Sequence, residues 1–296
     1  MRSRSPRPAR LRVIGLSCCI LGVLGRQGTG VAATPTEKTP RPLEIHAHRG
    51  GAGLAPENTL AAFRKGMEWG ADALEMDLHV TRDGKVVVIH DERLDRSTDG
   101  RGNVADLTLA EVRRWDAGVK FSPAFRGERI PTLREVLELV KASGNTRIRL
   151  DLELKYAPDR PGQPEDFEER VLELLRQIGF VERVNVISFH HPSLFKIKAL
   201  EPKVRTGLLA GGQQAPLDPV ALVRQYQADY YSPSVRHVTA GVVAIVHRAG
   251  VPIVPWTVNE EAEMRRLIGL GIGTLAGDAI VTDYPDRLLT LLKASR

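Results

Sequence analysis

Along residues 44–293, short strand-like runs alternate with runs whose apolar residues recur at helical spacing. The strand-like runs fall at 45–49, 73–80, 147–155, 184–189, 204–209, 230–235, 253–258 and 279–283. The helical runs fall at 59–69, 133–141, 165–178, 192–200, 219–226, 240–249, 260–270 and 287–293. Repeated strand–helix units imply a parallel sheet covered by helices, and eight of them suit a closed (β/α)8 TIM barrel better than an open doubly wound sheet. One more run, 86–90, follows Asp83-Gly84 and reads as the antiparallel return of a hairpin, which would carry His90 back beside Asp77. Residues 92–131 show little periodicity beyond a short helix at 109–115. They read as a small insertion after the second strand, on the rim of the barrel.

The segment ahead of this pattern has a different character. Arginines at 2, 4, 7, 10 and 12 precede the apolar run 13–24, and Val31-Ala32-Ala33 offers small residues for a signal-peptidase cut. Residues 1–33 therefore read as a signal peptide, 34–43 as a Pro/Thr-rich linker, and 44–296 as the barrel domain. Export to the periplasm or beyond is expected. A lipoprotein through Cys18 or Cys19 ranks lower, because Gly15-Leu16-Ser17 is a poor recognition tripeptide and modification there would halve the apolar run. A retained N-terminal anchor also ranks lower, since a transmembrane helix needs roughly 20 apolar residues. No later segment is long and apolar enough to span.

This division changes how the charge is read. The chain has 42 basic and 36 acidic side chains, and residues 1–33 hold six arginines and no acid, which leaves 36 against 36 for the remainder. A nearly neutral domain gives no reason to expect nucleic acid or an anionic membrane as partner. Both cysteines lie in the signal, so the domain has no disulfide, thiol nucleophile or thiolate metal site.

Three runs share a polar alternation: His46 and His48; Glu75, Asp77 and His79; Asp151, Glu153 and Lys155. Spacing by two puts each set on one strand face, which in a barrel points inward. Ionisable groups there are costly unless paired or bound to metal, and at the carboxyl ends of barrel strands they read as a site. Glu75, Asp77 and Glu153 form an all-oxygen set suited to one hard divalent cation, Ca²⁺ or Mg²⁺. Arg49 and Lys155 are fixed cations for a phosphate. His48 and His90 exchange protons near neutral pH and can serve as base and acid in turn. Each motif has a blander reading as a solvated strand face or a loop hydrogen bond; their joint appearance on successive strands favours chemistry. His46 and Asp151 read as structural residues one layer deeper, and His79 stays open. Asn58 reads as a helix cap. Trp256 is either core or a rim contact for the substrate's alcohol chain, and its position favours contact.

The motifs HRG (48–50), PENT (56–59), EMD (75–77), HD (90–91), DLELK (151–155), SF (188–189), WTVN (256–259) and TDYP (282–285) resemble, in order, those of the glycerophosphodiester phosphodiesterases, barrels related to phosphatidylinositol phospholipase C. HRG, PENT and the paired acids are specific together, whereas SF and TDYP are weak alone. The resemblance implies metal ligation by Glu75, Asp77 and Glu153, acid/base roles for His48 and His90, and phosphate contacts from Arg49 and Lys155. It implies attack of the neighbouring glycerol hydroxyl on phosphorus, loss of an alcohol, and opening of the cyclic phosphate by water to sn-glycerol 3-phosphate. Gly277-Asp278-Ala279 departs from the family's Asp-Gly before the last strand. Two rival readings remain: lysophospholipase D-type cleavage of lysolipids, for which Phe121, Phe125 and Ile130 of the insertion leave room, and a non-catalytic periplasmic binding protein. Oligomeric state is not readable from the sequence.

Overall fold

Strand β2 (Ala73–Val80) is buried along its whole length, which a barrel strand must be, with helices on one side and the barrel interior on the other. Its outward residues Leu74, Met76, Leu78 and Val80 join the main hydrophobic core, and its inward ones include Glu75, Asp77 and His79. The same division recurs in β4 (Arg149–Leu154), where Leu150, Leu152 and Leu154 face the core and Asp151 and Glu153 face inward. This is a computed structural model, and it describes residues 43–155, 164–212 and 216–294. The signal peptide and nearly all of the linker expected from the sequence lie outside the described residues.

In chain order the remaining strands are β1 (Glu44–Ala47), β3 (Val86–Val88), β5 (Val184–Ser188), β6 (Arg205–Ala210), β7 (Tyr230–Pro233) and β8 (Ala279–Thr282). The helices are α1 (Leu60–Glu68), α2 (Leu109–Val112), α3 (Leu133–Ala142), α4 (Phe167–Ile178), α5 (His191–Leu200), α6 (Pro219–Gln225), α7 (Ala240–Arg248), α8 (Glu261–Gly269) and α9 (Pro285–Ala294). Parallel pairing runs β7-β6-β5-β4-β2-β1-β8, with β3 antiparallel on β2 as the hairpin return. The expected seventh barrel strand, 253–258, closes the ring without forming a regular ladder. Its backbone bonds to β7 through Val254 N–H to Tyr231 O (2.9 Å) and to β8 through Val281 N–H to Pro255 O (3.0 Å) and Val258 N–H to Val281 O (2.9 Å). Pro252 and Pro255 have no N–H to give, and the pairing thins to isolated bridges. The barrel is thus a (β/α)8 ring in which the seventh position is irregular.

Several expected elements are shorter than the sequence suggests. The run at 45–49 leaves the extended conformation after Ala47: His48–Gly50 form a 3-10 turn, with Arg49 at φ 51° and Gly50 at φ 84°. The insertion helix stops at Val112, although Thr108 and Glu111 make a full capping box at its start. The insertion is held by a small core of its own, Val87, Ile89, Leu94, Val104, Val112, Ala117 and Ile130. No helix among the described residues is long and apolar enough to cross a membrane.

The barrel interior has two unlike halves. Beneath β1, β2 and β4 lies a charged layer: His46 contacts Asp151 at 2.6 Å and Glu44 at 3.1 Å, Asn185 donates to Asp151 at 2.6 Å, and Arg149 pairs with Glu44. Across the ring, Ile187, Leu209, Tyr230, Val254, Ala279 and Val281 form a separate apolar cluster. His46 and Asp151 thus occupy the deep structural layer expected of them.

Candidate active site

Register carries the inward acids to one place. Glu75 pairs with Asp151 and Asp77 with Glu153 across the β2–β4 ladder, so that Glu75, Asp77 and Glu153 each offer an oxygen within 4.8 Å of the others, all buried. Lys155, one residue past the end of β4, bridges Asp77 at 2.9 Å and Glu153 at 2.7 Å. Asn58 donates to Asp77 at 2.7 Å and accepts that residue's backbone N–H at 3.3 Å. It is not the helix cap expected from the sequence. Thr59 takes that role, its hydroxyl accepting from Ala62 N–H, and Asn58 turns inward from a left-handed φ of 58° that asparagine tolerates.

Leaving the strand gives Arg49 two functions. The left-handed turn costs about 1–3 kcal/mol for a non-glycine residue. It aims the Arg49 N–H at Glu75 Oε2, 2.7 Å away, while the guanidinium reaches Glu57 at 3.0 Å and Asp77 at 3.5 Å. Gly50, next in the turn, lies against α1: a Cβ there would stand 2.8 Å from the backbone of Ala62 and Phe63. Only glycine fits, which explains the third letter of HRG.

The two imidazoles are each held from behind by a carboxylate. His48 Nδ1 is 2.6 Å from Asp283 and its Nε2 is 3.9 Å from Glu75. Asp283 in turn accepts from the Asn259 side chain at 2.6 Å, and its own N–H binds Asn259 Oδ1 at 3.0 Å. His90 Nδ1 is 2.6 Å from Asp91, and the hairpin places it as expected, with Ile89 N–H on Asp77 O. A carboxylate on Nδ1 selects the tautomer that leaves Nε2 to exchange a proton. His79, left open above, contacts the backbone carbonyl of His90 at 3.1 Å and so supports the hairpin.

Titration follows from this geometry. Burial, then repulsion from Asp77 and Glu153, lifts Glu75 well above the usual carboxylate range. Burial lifts Glu153 to about 7 despite Lys155. Asp77 goes the other way: against burial, Lys155 and Arg49 hold it far below its ordinary value. His90 is lowered by burial and by Lys155 and Arg49, although Asp77 opposes this. Asp283 is lowered: against burial, its bond to His48, the charge of that imidazole, the Asn259 bond and Arg49 act together. A buried acidic cluster that resists full ionisation is short of positive charge, and its donors are all hard oxygens, so the residues fit a divalent cation.

His48, Arg49, Glu75, His90, Glu153, Lys155 and Trp256 line one open cavity, whose other wall is Ile187, Phe189, Leu209 and Val281. Trp256 meets Phe189 edge to face at 5.5 Å and donates to Ser232 O. Of the insertion's apolar residues, Ile130 is buried in the insertion core, and Phe121 and Phe125 meet edge to face and are not among the cavity lining.

Fold and site together define a (β/α)8-barrel enzyme with its polar groups gathered at the carboxyl ends of the strands. Residues 48–287 match the glycerophosphoryl diester phosphodiesterase family, and the chain belongs to it. A glycerophosphodiester phosphodiesterase of Caldanaerobacter subterraneus is 39% identical over 250 residues, covering 84% of this chain and 97% of that one. One from Bacillus altitudinis is 37% identical over 251 residues, covering 84% and 97%. Among solved structures, that of a Silicibacter pomeroyi glycerophosphoryl diester phosphodiesterase superposes with a TM-score of 0.77 at 28% identity, over 87% of this chain and 95% of that one. An Oleispira antarctica phosphodiesterase in complex with sn-glycerol-3-phosphate gives 0.73 at 28%, over 84% and 96%.

The structure brings the eight residues singled out from the sequence to one place, seven on the cavity lining and Asp77 in the acidic cluster, but the groups that hold them were missed. Asp283 and Asn259 sit in TDYP and WTVN, motifs read only for their aromatics or order. Glu57 sits in PENT, and nothing marked Arg96.

Proposed function

We propose that this phosphodiesterase hydrolyses glycerophosphodiesters to an alcohol and sn-glycerol 3-phosphate, using one divalent cation, Ca²⁺ or Mg²⁺, and the imidazoles of His48 and His90. The observation that carries the reading is the convergence of three buried carboxylates, two fixed cations and two carboxylate-backed imidazoles on one cavity. The product seen in the Oleispira structure supports the same substrate class.

Glu75, Asp77 and Glu153 would hold the cation, whose charge would stabilise negative charge developing on the phosphate. Arg49 and Lys155 orient the phosphate, Arg49 by its fork and Lys155 as a point charge. One imidazole takes the proton of the glycerol 2-hydroxyl as that oxygen bonds to phosphorus. The other protonates the alcohol as the ester P–O bond breaks. In the second half their roles reverse: water gives up a proton and attacks phosphorus, and the 2-oxygen leaves protonated. The apolar wall of Phe189, Trp256, Leu209 and Ile187 takes the carbon skeleton of the substrate. On the strength of the arginine-led apolar run at the N-terminus, we assign the activity to the periplasm or the exterior.

The test is turnover of purified protein stripped by chelator and refilled with Ca²⁺ or Mg²⁺, against glycerophosphodiesters and lysolipids. Activity should vanish on stripping and return with one of the ions, on glycerophosphodiesters first, and Glu153→Ala should not respond to metal. Full activity in the stripped protein would remove the cation from the mechanism. Preference for lysolipids would replace the substrate class.

A further inference from the structure

The insertion contributes one residue that touches neither substrate-facing imidazole nor cation cluster, yet is bound to the partners of both halves of the site. Arg96 lays the end of its guanidinium on Glu57, with contacts of 2.7 and 2.6 Å to the two carboxylate oxygens. The side of the same group lies on Asp91, with Nε at 2.6 Å and a terminal nitrogen at 3.2 Å. Glu57 is the carboxylate that holds Arg49, and Asp91 the one that holds His90. The groups therefore form an unbroken row, Arg49, Glu57, Arg96, Asp91 and His90, in which charge alternates from Arg49 to Asp91.

We propose that Arg96 is a positioning residue that sets Arg49 and His90 together, fixing the phosphate-binding fork and the acid/base imidazole in one mutual geometry. The inference rests on the roles given above to Arg49 and His90.

Two physical points carry it. Only a planar guanidinium presents donors along two edges, and here both edges are in use; a lysine ammonium is a point charge that cannot span both carboxylates in the same way. Removing Arg96 would also leave Glu57 and Asp91 with one cation fewer between them. Glu57 would then neutralise Arg49 more completely, weakening its hold on a phosphate, and Asp91 would be free to turn from His90 Nδ1. Arg96 is itself about half exposed, so its loss should leave the barrel folded.

The experiment compares Arg96→Ala, Arg96→Lys and His90→Ala with wild type in the metal-loaded enzyme, recording kcat, KM and thermal midpoint, with millimolar guanidinium ion added in a second series. Loss of an outer hydrogen-bond partner typically costs about 10–100-fold. We expect a fall of that size in kcat for Arg96→Ala, a rise in KM, and an unchanged midpoint. Guanidinium should restore part of the activity of Arg96→Ala, and Arg96→Lys should stay impaired. Full activity in Arg96→Ala, full rescue by lysine, or a loss that tracks a lowered midpoint and ignores guanidinium would each overturn the proposal. If His90→Ala kept its activity, the acid/base reading would fall by itself, whatever Arg96 does.

Discussion

The charged layer under the site should make the barrel less stable in alkali. His46 is buried between Asp151 at 2.6 Å and Glu44 at 3.1 Å, and although burial opposes it, these two acids raise its pKa from 6.5 to about 9. A group whose pKa is higher folded than unfolded adds stability that is complete below 6.5 and is lost as pH climbs through 9. That difference, at about 1.4 kcal/mol for each tenfold change in proton affinity, puts an upper bound of about 3.5 kcal/mol on the loss. For a domain of this size that is on the order of 7–14 °C in thermal midpoint. The perturbation that isolates it is Asp151→Asn, which removes the main partner of His46. Urea unfolding of both proteins would be followed in chelator between pH 6.5 and about 9. Glu153, raised to about 7, is common to both and changes mostly at the acid end. Wild type should weaken steadily with rising pH; the variant should start weaker and show a flatter slope. A wild-type stability that holds level or rises across this window, or a variant that keeps the full slope, would refute the assignment of a charged His46 to the folded protein.

Two other outcomes follow from the geometry. Asp283→Asn removes the charge behind His48 but keeps its size, and should lower kcat by about 10–100-fold with little change in KM; steady-state kinetics on a glycerophosphodiester will show it, and an equal rise in KM would contradict an orienting role. Gly50→Ala puts a Cβ 2.8 Å from the α1 backbone at a left-handed φ, and should cost roughly 1–3 kcal/mol or more, read as a lowered urea midpoint.

The βα alternation was legible because core-facing leucines and valines alternate with polar residues in β2 and β4, and the carboxylate cluster followed from the same period. The seventh barrel position was legible as a strand but not as an irregular one, since Pro252 and Pro255 break hydrogen bonding without breaking apolar patterning. His48 and Arg49 read as a continuation of β1 because the chain turns there through positive φ at Arg49, Gly50 and Gly51, not through a change in hydrophobicity. Asn58 was misread because a residue just before a helix is usually a cap; its true partner, Asp77, is 19 residues away. Asp283 and Arg96 were invisible for a related reason. Periodicity reports which way a side chain points, not which distant charge it meets.

The bond between His48 and Asp283 joins residues 235 positions apart, just beyond the first and last strands of the ring. A chain lacking its last strand would still own the carboxylates of β2 and β4, and so a place for an ion, but its first imidazole would have nothing to orient it. Competence therefore arrives only when the circle is joined, and the earliest-made portion of the polypeptide waits on the latest.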